Sequence, residues 1–326
     1  MFQSIKLSSI KIALLSLLFI FCPLSLKAQD IKHVAVTAIV EHPALEACYR
    51  GIVDYLQENG YQKNENLKIT FETAQGNPAI AVQIAQKLAG EKPSVIVPIS
   101  TPSAQAVASN IQDTPIVFSA VTDPIRAGLV KSLTQPGHMI TGVSDSAPID
   151  LHLKLIRDLM PTAKKIGVIT NPGEVNSVVI LEELRKFAPE FGFTLVESVA
   201  PKSSEVMFAT QRLVGNVDAI YVPSDNTIVS ALEAIIQIGI KAQLPVFSGD
   251  TDSVERGTIA AVGFDYYDVG KQTGKIVARV LSGESPAHID IETVKKTNFY
   301  LNLKAAQAMG LPISDIMKSK AQKIIK

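Results

Sequence analysis

Two short stretches of this chain recur in the same order roughly 120 residues later, and that recurrence limits the folds open to it. Ser94-Val95-Ile96-Val97-Pro98-Ile99-Ser100 is echoed by Asp218-Ala219-Ile220-Tyr221-Val222-Pro223-Ser224, and Pro115-Ile116-Val117-Phe118-Ser119 by Pro245-Val246-Phe247-Ser248. Each copy of the second motif runs on to a Thr-Asp pair, Thr122-Asp123 and Thr251-Asp252. A period this long is not a solenoid repeat; it implies a duplicated domain. Both copies alternate short β-branched runs with helical periodicity, the pattern of parallel α/β units.

In the first half the pattern predicts strands at His33–Val40, Leu67–Thr73, Ser94–Ile99, Pro115–Val121 and Ile140–Val143. Helices are expected between them, ending near Gly60 and spanning about 78–89 and 102–111. The second half predicts strands at Lys165–Thr170, Phe193–Val199, Ala219–Val222 and Pro245–Ser248. Its helices are expected at about 150–160, 177–187, 204–213 and 227–242. The fold class is therefore α/β: two similar Rossmann-like lobes with parallel sheets, joined by a multi-strand hinge. Residues 29–143 with about 266–292 form the N-terminal lobe and 144–265 the C-terminal lobe, while 293–326 is open to either. Repeated crossings between lobes suit a clamshell that closes on a ligand.

Residues 1–28 read as a secretory signal peptide: Lys6 and Lys11, an apolar run over 12–22 broken only by Ser16, then Pro23 and a small residue at Ala28. The run is too short to span a bilayer as a helix. A periplasmic location follows, with lipoprotein anchoring through Cys22 disfavoured by the bulky Phe21 before it. The leader also disguises the charge. The chain has 31 basic and 31 acidic residues; losing Lys6, Lys11 and Lys27 leaves 28 against 31, a net of −3. Nothing in that balance favours a nucleic-acid partner. It leaves one cysteine, Cys48, in a helical apolar setting that suits a buried thiol.

Catalytic signatures are missing: no G-x-S-x-G, no P-loop, no H-E-x-x-H. The five histidines lack metal-ligand spacing, His33 and His42 included, so neither metal nor cofactor is implied. His152 reads as a surface or packing residue, and Phe118 and Phe247 as core. Chemistry gathers instead at the C-terminal ends of the strands, where open α/β sheets bind ligands. These ends carry Glu41-His42-Pro43, Ser100-Thr101-Pro102-Ser103, Thr122-Asp123, Asn171-Pro172-Gly173-Glu174-Val175-Asn176, Ser224-Asp225-Asn226 and Gly249-Asp250. Any one of them could simply cap a helix. Six polar loops facing one cleft suggest more. Ser100, Thr101 and Thr122, with helix N-termini behind them, suit a carboxylate. Glu174, Asp225 and Asp250 opposite suit an ammonium, and together the two sets suit a zwitterion such as an amino acid.

Several of these motifs carry a resemblance. Glu41-His42-Pro43-Ala44-Leu45, Ser100-Thr101-Pro102-Ser103-Ala104-Gln105, Val121-Thr122-Asp123-Pro124 with Ala127-Gly128-Leu129-Val130, Val222-Pro223-Ser224-Asp225-Asn226 and Asn302-Leu303-Lys304-Ala305-Ala306 resemble ABC-transporter substrate-binding proteins of the tryptophan/aromatic-amino-acid type. The resemblance covers nearly all of the chain after the leader. It implies a type I periplasmic-binding-protein fold, delivery of a small solute to an ABC permease and its ATPase, and a monomer without enzymatic activity. It favours Ser100, Thr101, Thr122 and Asp123 in one lobe, and Asn171, Glu174, Asn176, Asp225, Asn226 and Asp250 in the other. Glu41 and His42 complete the candidate set. The alternatives are a ligand-sensing subunit of a signalling system, an exported enzyme, or a binder of a nucleobase-like solute. Sugar is a weaker choice because the chain has no Trp and 6% aromatic residues.

Overall fold

The computed structural model describes residues 31–326; the leader expected at 1–28 lies outside the described residues. The first half runs β1 (Lys32–Ala38), α1 (Pro43–Glu58), β2 (Leu67–Thr73), α2 (Pro78–Glu91), β3 (Val95–Ile99), α3 (Thr101–Asn110), β4 (Ile116–Phe118) and β5 (Ile140–Ser144). The second continues with α4 (Ile149–Leu159), β6 (Lys165–Thr170), α5 (Val175–Phe187), β7 (Thr194–Val199), α6 (Val206–Gln211), β8 (Ala219–Val222), α7 (Asn226–Val229), α8 (Leu232–Ala242), β9 (Val246–Ser248), α9 (Asp252–Arg256) and β10 (Ala260–Gly263). Then come α10 (Tyr266–Leu281), β11 (Glu292–Thr293), β12 (Asn298–Asn302), α11 (Leu303–Ala308), α12 (Asp315–Lys320) and β13 (Lys323–Ile325).

Three sheets organise these elements. The first is parallel throughout, in the order β11-β5-β4-β3-β1-β2. The second, also parallel, is β7-β6-β8-β9. A third, β10-β12-β13, joins β10 and β12 antiparallel and is tied to β9 by the Ile259 N–H to Val246 carbonyl bond of 2.7 Å. Apolar runs without alternation are required where helices cover both faces of a sheet. In β1, Val34, Val36 and Ala38 face one core with α1 and α10, while Ala35 faces the other with α2 and α3. The fold is the two-lobed α/β arrangement expected.

The chain passes between the first sheet and the other two at 145–148, after β5, at 264–265, after β10, and at 294–297, after β11. After the second passage α10 docks on α1, and glycines set how closely. A methyl group at Gly51 would strike the Tyr267 carbonyl oxygen, and one at Gly270 the Cys48 carbonyl. Cys48 lies buried at this crossing, 3.0 Å from the Ser119 hydroxyl, and burial pushes its thiol up to about 12. It is inert.

Two local expectations change. The helix expected over 227–242 is two helices, because Ala231 leaves helical geometry and the Ser230 hydroxyl takes the Thr227 carbonyl at 2.8 Å. The strand expected over 115–121 stops at Phe118, since Ala120 turns to φ 54°. His152, read as a surface or packing residue, packs in the interior, its Nδ1 2.6 Å from the Tyr221 hydroxyl. Phe118 and Phe247 are buried in the core.

Candidate functional site

The strand ends of both parallel sheets converge on a buried cavity of about 20 Å³, room for a water molecule or two. On the first-lobe side, β3 ends at Ser100, which opens α3 in the left-handed region at φ 83°. Ala120, at the end of β4, is also left-handed, and both residues line the cavity. Strain at two non-glycine positions concentrated on one site is the pattern of a functional cleft. The Ser100 hydroxyl is buried without a hydrogen-bond partner. Beside it, the Thr101 hydroxyl accepts from the Thr122 N–H at 3.4 Å, and the Thr122 hydroxyl donates to Asp145 Oδ1 at 3.3 Å.

Asp145 lies just beyond β5, at the first passage between lobes. Its other oxygen accepts from the Tyr266 hydroxyl at 2.7 Å, and Tyr266 opens α10 after the second passage. Burial holds the Asp145 carboxyl above its usual range despite both hydrogen bonds. Asp250 is likewise raised by burial, although Ser253 donates to it from backbone and hydroxyl, each at 2.7 Å. Among the residues lining the cavity there is no Lys or Arg. Desolvated carboxylates without a paired cation favour a cationic ligand group.

The second-lobe wall is built differently. Asp225 accepts from the Asn171 N–H and the Ser177 hydroxyl, both at 2.6 Å, and caps α7 through the Ile228 N–H at 3.1 Å. Glu174 accepts from Asn226 and Thr227, backbone and side chain of each, and from the Asn176 amide. Burial, and then the Glu174 charge, raise the Asp225 carboxyl. His42, at the start of α1, is buried and neutral: burial lowers it to about 4, with the Arg256 charge adding to the effect. Its Nδ1 and the Asn176 Oδ1 have no partner.

A family model described as ABC transporter substrate binding protein matches residues 33–325. The chain belongs to the ABC transporter substrate-binding protein family. A tyrosine-binding protein of Clostridioides difficile is 38% identical to this substrate-binding protein over 280 residues, 86% of this chain and 81% of the relative. Among solved structures, a Streptococcus pneumonia ABC domain in complex with L-Trp is similar at 34% identity and a TM-score of 0.87, across 91% of this chain and 100% of that one. A ligand-free, open substrate-binding protein with adhesive properties from Clostridium difficile is 36% identical over the same shares, yet its TM-score is 0.68. An ion pair crosses the cleft here: Arg126, after β4, meets Glu182 of α5 at 2.5 and 3.2 Å.

Of the residues singled out in sequence, His42, Ser100, Thr101, Thr122, Asn176, Asp225, Asn226 and Asp250 line this cavity of the substrate-binding protein. Glu41 is exposed, outside the lining. Asp123 is spent capping the Ile125 and Arg126 N–H groups at 3.0 and 2.9 Å. Asn171 and Glu174 line a neighbouring cavity of about 600 Å³, which reaches Gln75, Asn77, Pro102 and Lys202. The ammonium role expected for Glu174 and Asp225 fits their surroundings less well than it fits Asp145 and Asp250: Glu174 accepts five hydrogen bonds and Asp225 three, whereas Asp145 and Asp250 accept one at each oxygen. Sequence reasoning missed Asp145 and Tyr266. Asp145 obeys the strand-end rule and could have been found by it; Tyr266 arrives through the hinge, which leaves no periodic signal.

Proposed function

We propose that this chain is an exported, non-enzymatic receptor that closes two lobes on a zwitterionic amino acid, aromatic by preference, and presents it to an ABC permease and its ATPase. The observation that carries the reading is the cavity. Unpartnered Ser100 with Thr101 and Thr122 meets the carboxylate, Asp145 and Asp250 meet the ammonium, and Ala44, Leu45, Ala120 and Val229 give the ring an apolar wall. The aromatic preference comes from relatives that bind tyrosine and hold L-Trp. A cavity of about 20 Å³ is narrower than an aromatic ring needs, so the ligand-bound walls stand further apart, along the opening direction of the clamshell. In this reading residues 31–143 with 266–293 form one lobe and 149–262 with 298–325 the other; the mature protein is a periplasmic monomer.

Titration calorimetry against the common L-amino acids, nucleosides and sugars tests this. Tyrosine or tryptophan is expected to bind most tightly, and a hundredfold excess over Kd to stabilise the fold by about 2.7 kcal/mol. The chain has no Trp, so a bound tryptophan reports itself by its own fluorescence. Binding confined to sugars or nucleosides would overturn the proposal.

A further inference from the structure

Three buried polar atoms on the cavity wall lack partners: Ser100 Oγ, His42 Nδ1 and Asn176 Oδ1. Ser100 can donate to a carboxylate. Asn176 Oδ1 is an acceptor, and the surrounding hydrogen bonds fix it as such. The Asn176 amide nitrogen donates to Glu174 Oε2 and to the Ser224 carbonyl, both at 3.1 Å. Neither partner can donate in return, so the Asn176 orientation is settled and its oxygen is the atom left over. Asn226 is oriented in the same way, its amide nitrogen 2.6 Å from Glu174 Oε2. Its oxygen is therefore an acceptor on the same cavity wall as the His42 imidazole. A neutral imidazole that carries its proton on Nε2 leaves Nδ1 as an acceptor.

Apolar residues share the elements that carry two of these side chains. His42 is followed on α1 by Ala44 and Leu45, and Asn226 on α7 by Val229, all lining the cavity. The carboxylates that suit an ammonium, Asp145 and Asp250, come from β5 and β9 instead. Charge-assisted bonds to them outcompete neutral acceptors for the ammonium.

Resting on the amino-acid reading above, we propose that His42 Nδ1 and Asn176 Oδ1 form a specificity element that recognises an N–H or O–H donor on the ligand's aromatic side chain. Glu174 is the positioning residue that orients both amides. Such a pocket accepts a phenol or an indole and rejects a plain phenyl ring, because phenylalanine leaves buried acceptors unpaired.

The test is calorimetric titration of the mature protein with L-tyrosine, L-tryptophan, L-phenylalanine and L-4-fluorophenylalanine. Phenylalanine and its fluoro analogue, which matches tyrosine in length without a donor, are expected to bind about 30-fold or more weakly than the better of the other two. His42→Leu and Asn176→Leu are expected to shrink that ratio to within about fivefold. Glu174→Gln should shrink it as well, without contact to the ring, a change that a merely structural role would not produce. Phenylalanine binding within threefold of tyrosine and tryptophan in the wild type would overturn this inference alone, whatever the variants do. Failure of all four to bind would overturn the aromatic reading, and this inference with it.

Discussion

The two walls of the cleft descend from one pattern and have been finished in opposite ways. After β3 the chain offers Ser100, strained at φ 83° and unpartnered. At the helix N-cap after β8, one residue beyond Ser224, the twin of Ser100, it offers Asp225, relaxed at φ −106° and hydrogen-bonded by three donors. The next pair diverges in the reverse sense. Asp123 caps two N–H groups at the surface, whereas its twin Asp252 has a buried oxygen without a partner. A shared scaffold therefore fixes where polar groups are placed, not whether they are free. The difference teaches that exposure to the cavity is a poor guide to binding. What counts is whether a polar atom has hydrogen bonds left to make.

That contrast can be broken most severely at Asp225. Asp225→Ala leaves the Asn171 N–H, the Ser177 hydroxyl and the Ile228 N–H unpaired, so urea unfolding should show a loss of about 3 kcal/mol or more. Unchanged stability with lost ligand affinity would restore Asp225 to the ammonium role. Asp252 makes a pH test. Burial, then Asp250, Asp265 and Glu255, raise its carboxyl to about 7 from an ordinary value of 3.8. A carboxyl raised on folding binds its proton more tightly in the folded state, so it erodes stability as pH climbs from about 4 to about 7. Asp252→Asn should match the wild type near pH 4 and exceed it by about 2 kcal/mol at pH 8, measured by unfolding at both values.

Ser100→Ala sharpens the contrast from the other side. Its hydroxyl has no partner to lose, so the melting temperature should hold while ligand affinity falls about tenfold. The smallest effect belongs to the pair across the cleft. Arg126 and Glu182 are about half exposed, and exposed pairs contribute little. Arg126→Ala should weaken binding by about threefold or less, with the difference vanishing at high salt.

Much of the fold was legible because parallel sheets covered on both faces demand apolar runs, and Val95–Ile99 and Ala219–Val222 have no other good use. The strand-end rule then led to Ser100, Thr122 and Asp250 without any structure. It failed where hydrogen-bond accounting decides the role, since no pattern reveals that Glu174 is consumed by Asn226 and Thr227. It failed again at the hinge. Tyr266 reaches Asp145 across 121 residues of chain, a contact that only the return of α10 to α1 creates.

The central claim is that the cleft reads both ends of a zwitterion. A thermal-shift comparison of L-tryptophan with tryptamine, which lacks the carboxylate, and indole-3-propionate, which lacks the ammonium, tests it most directly. The account predicts a clear rise in midpoint with tryptophan and almost none with either analogue. An equal rise with tryptamine or indole-3-propionate would contradict it.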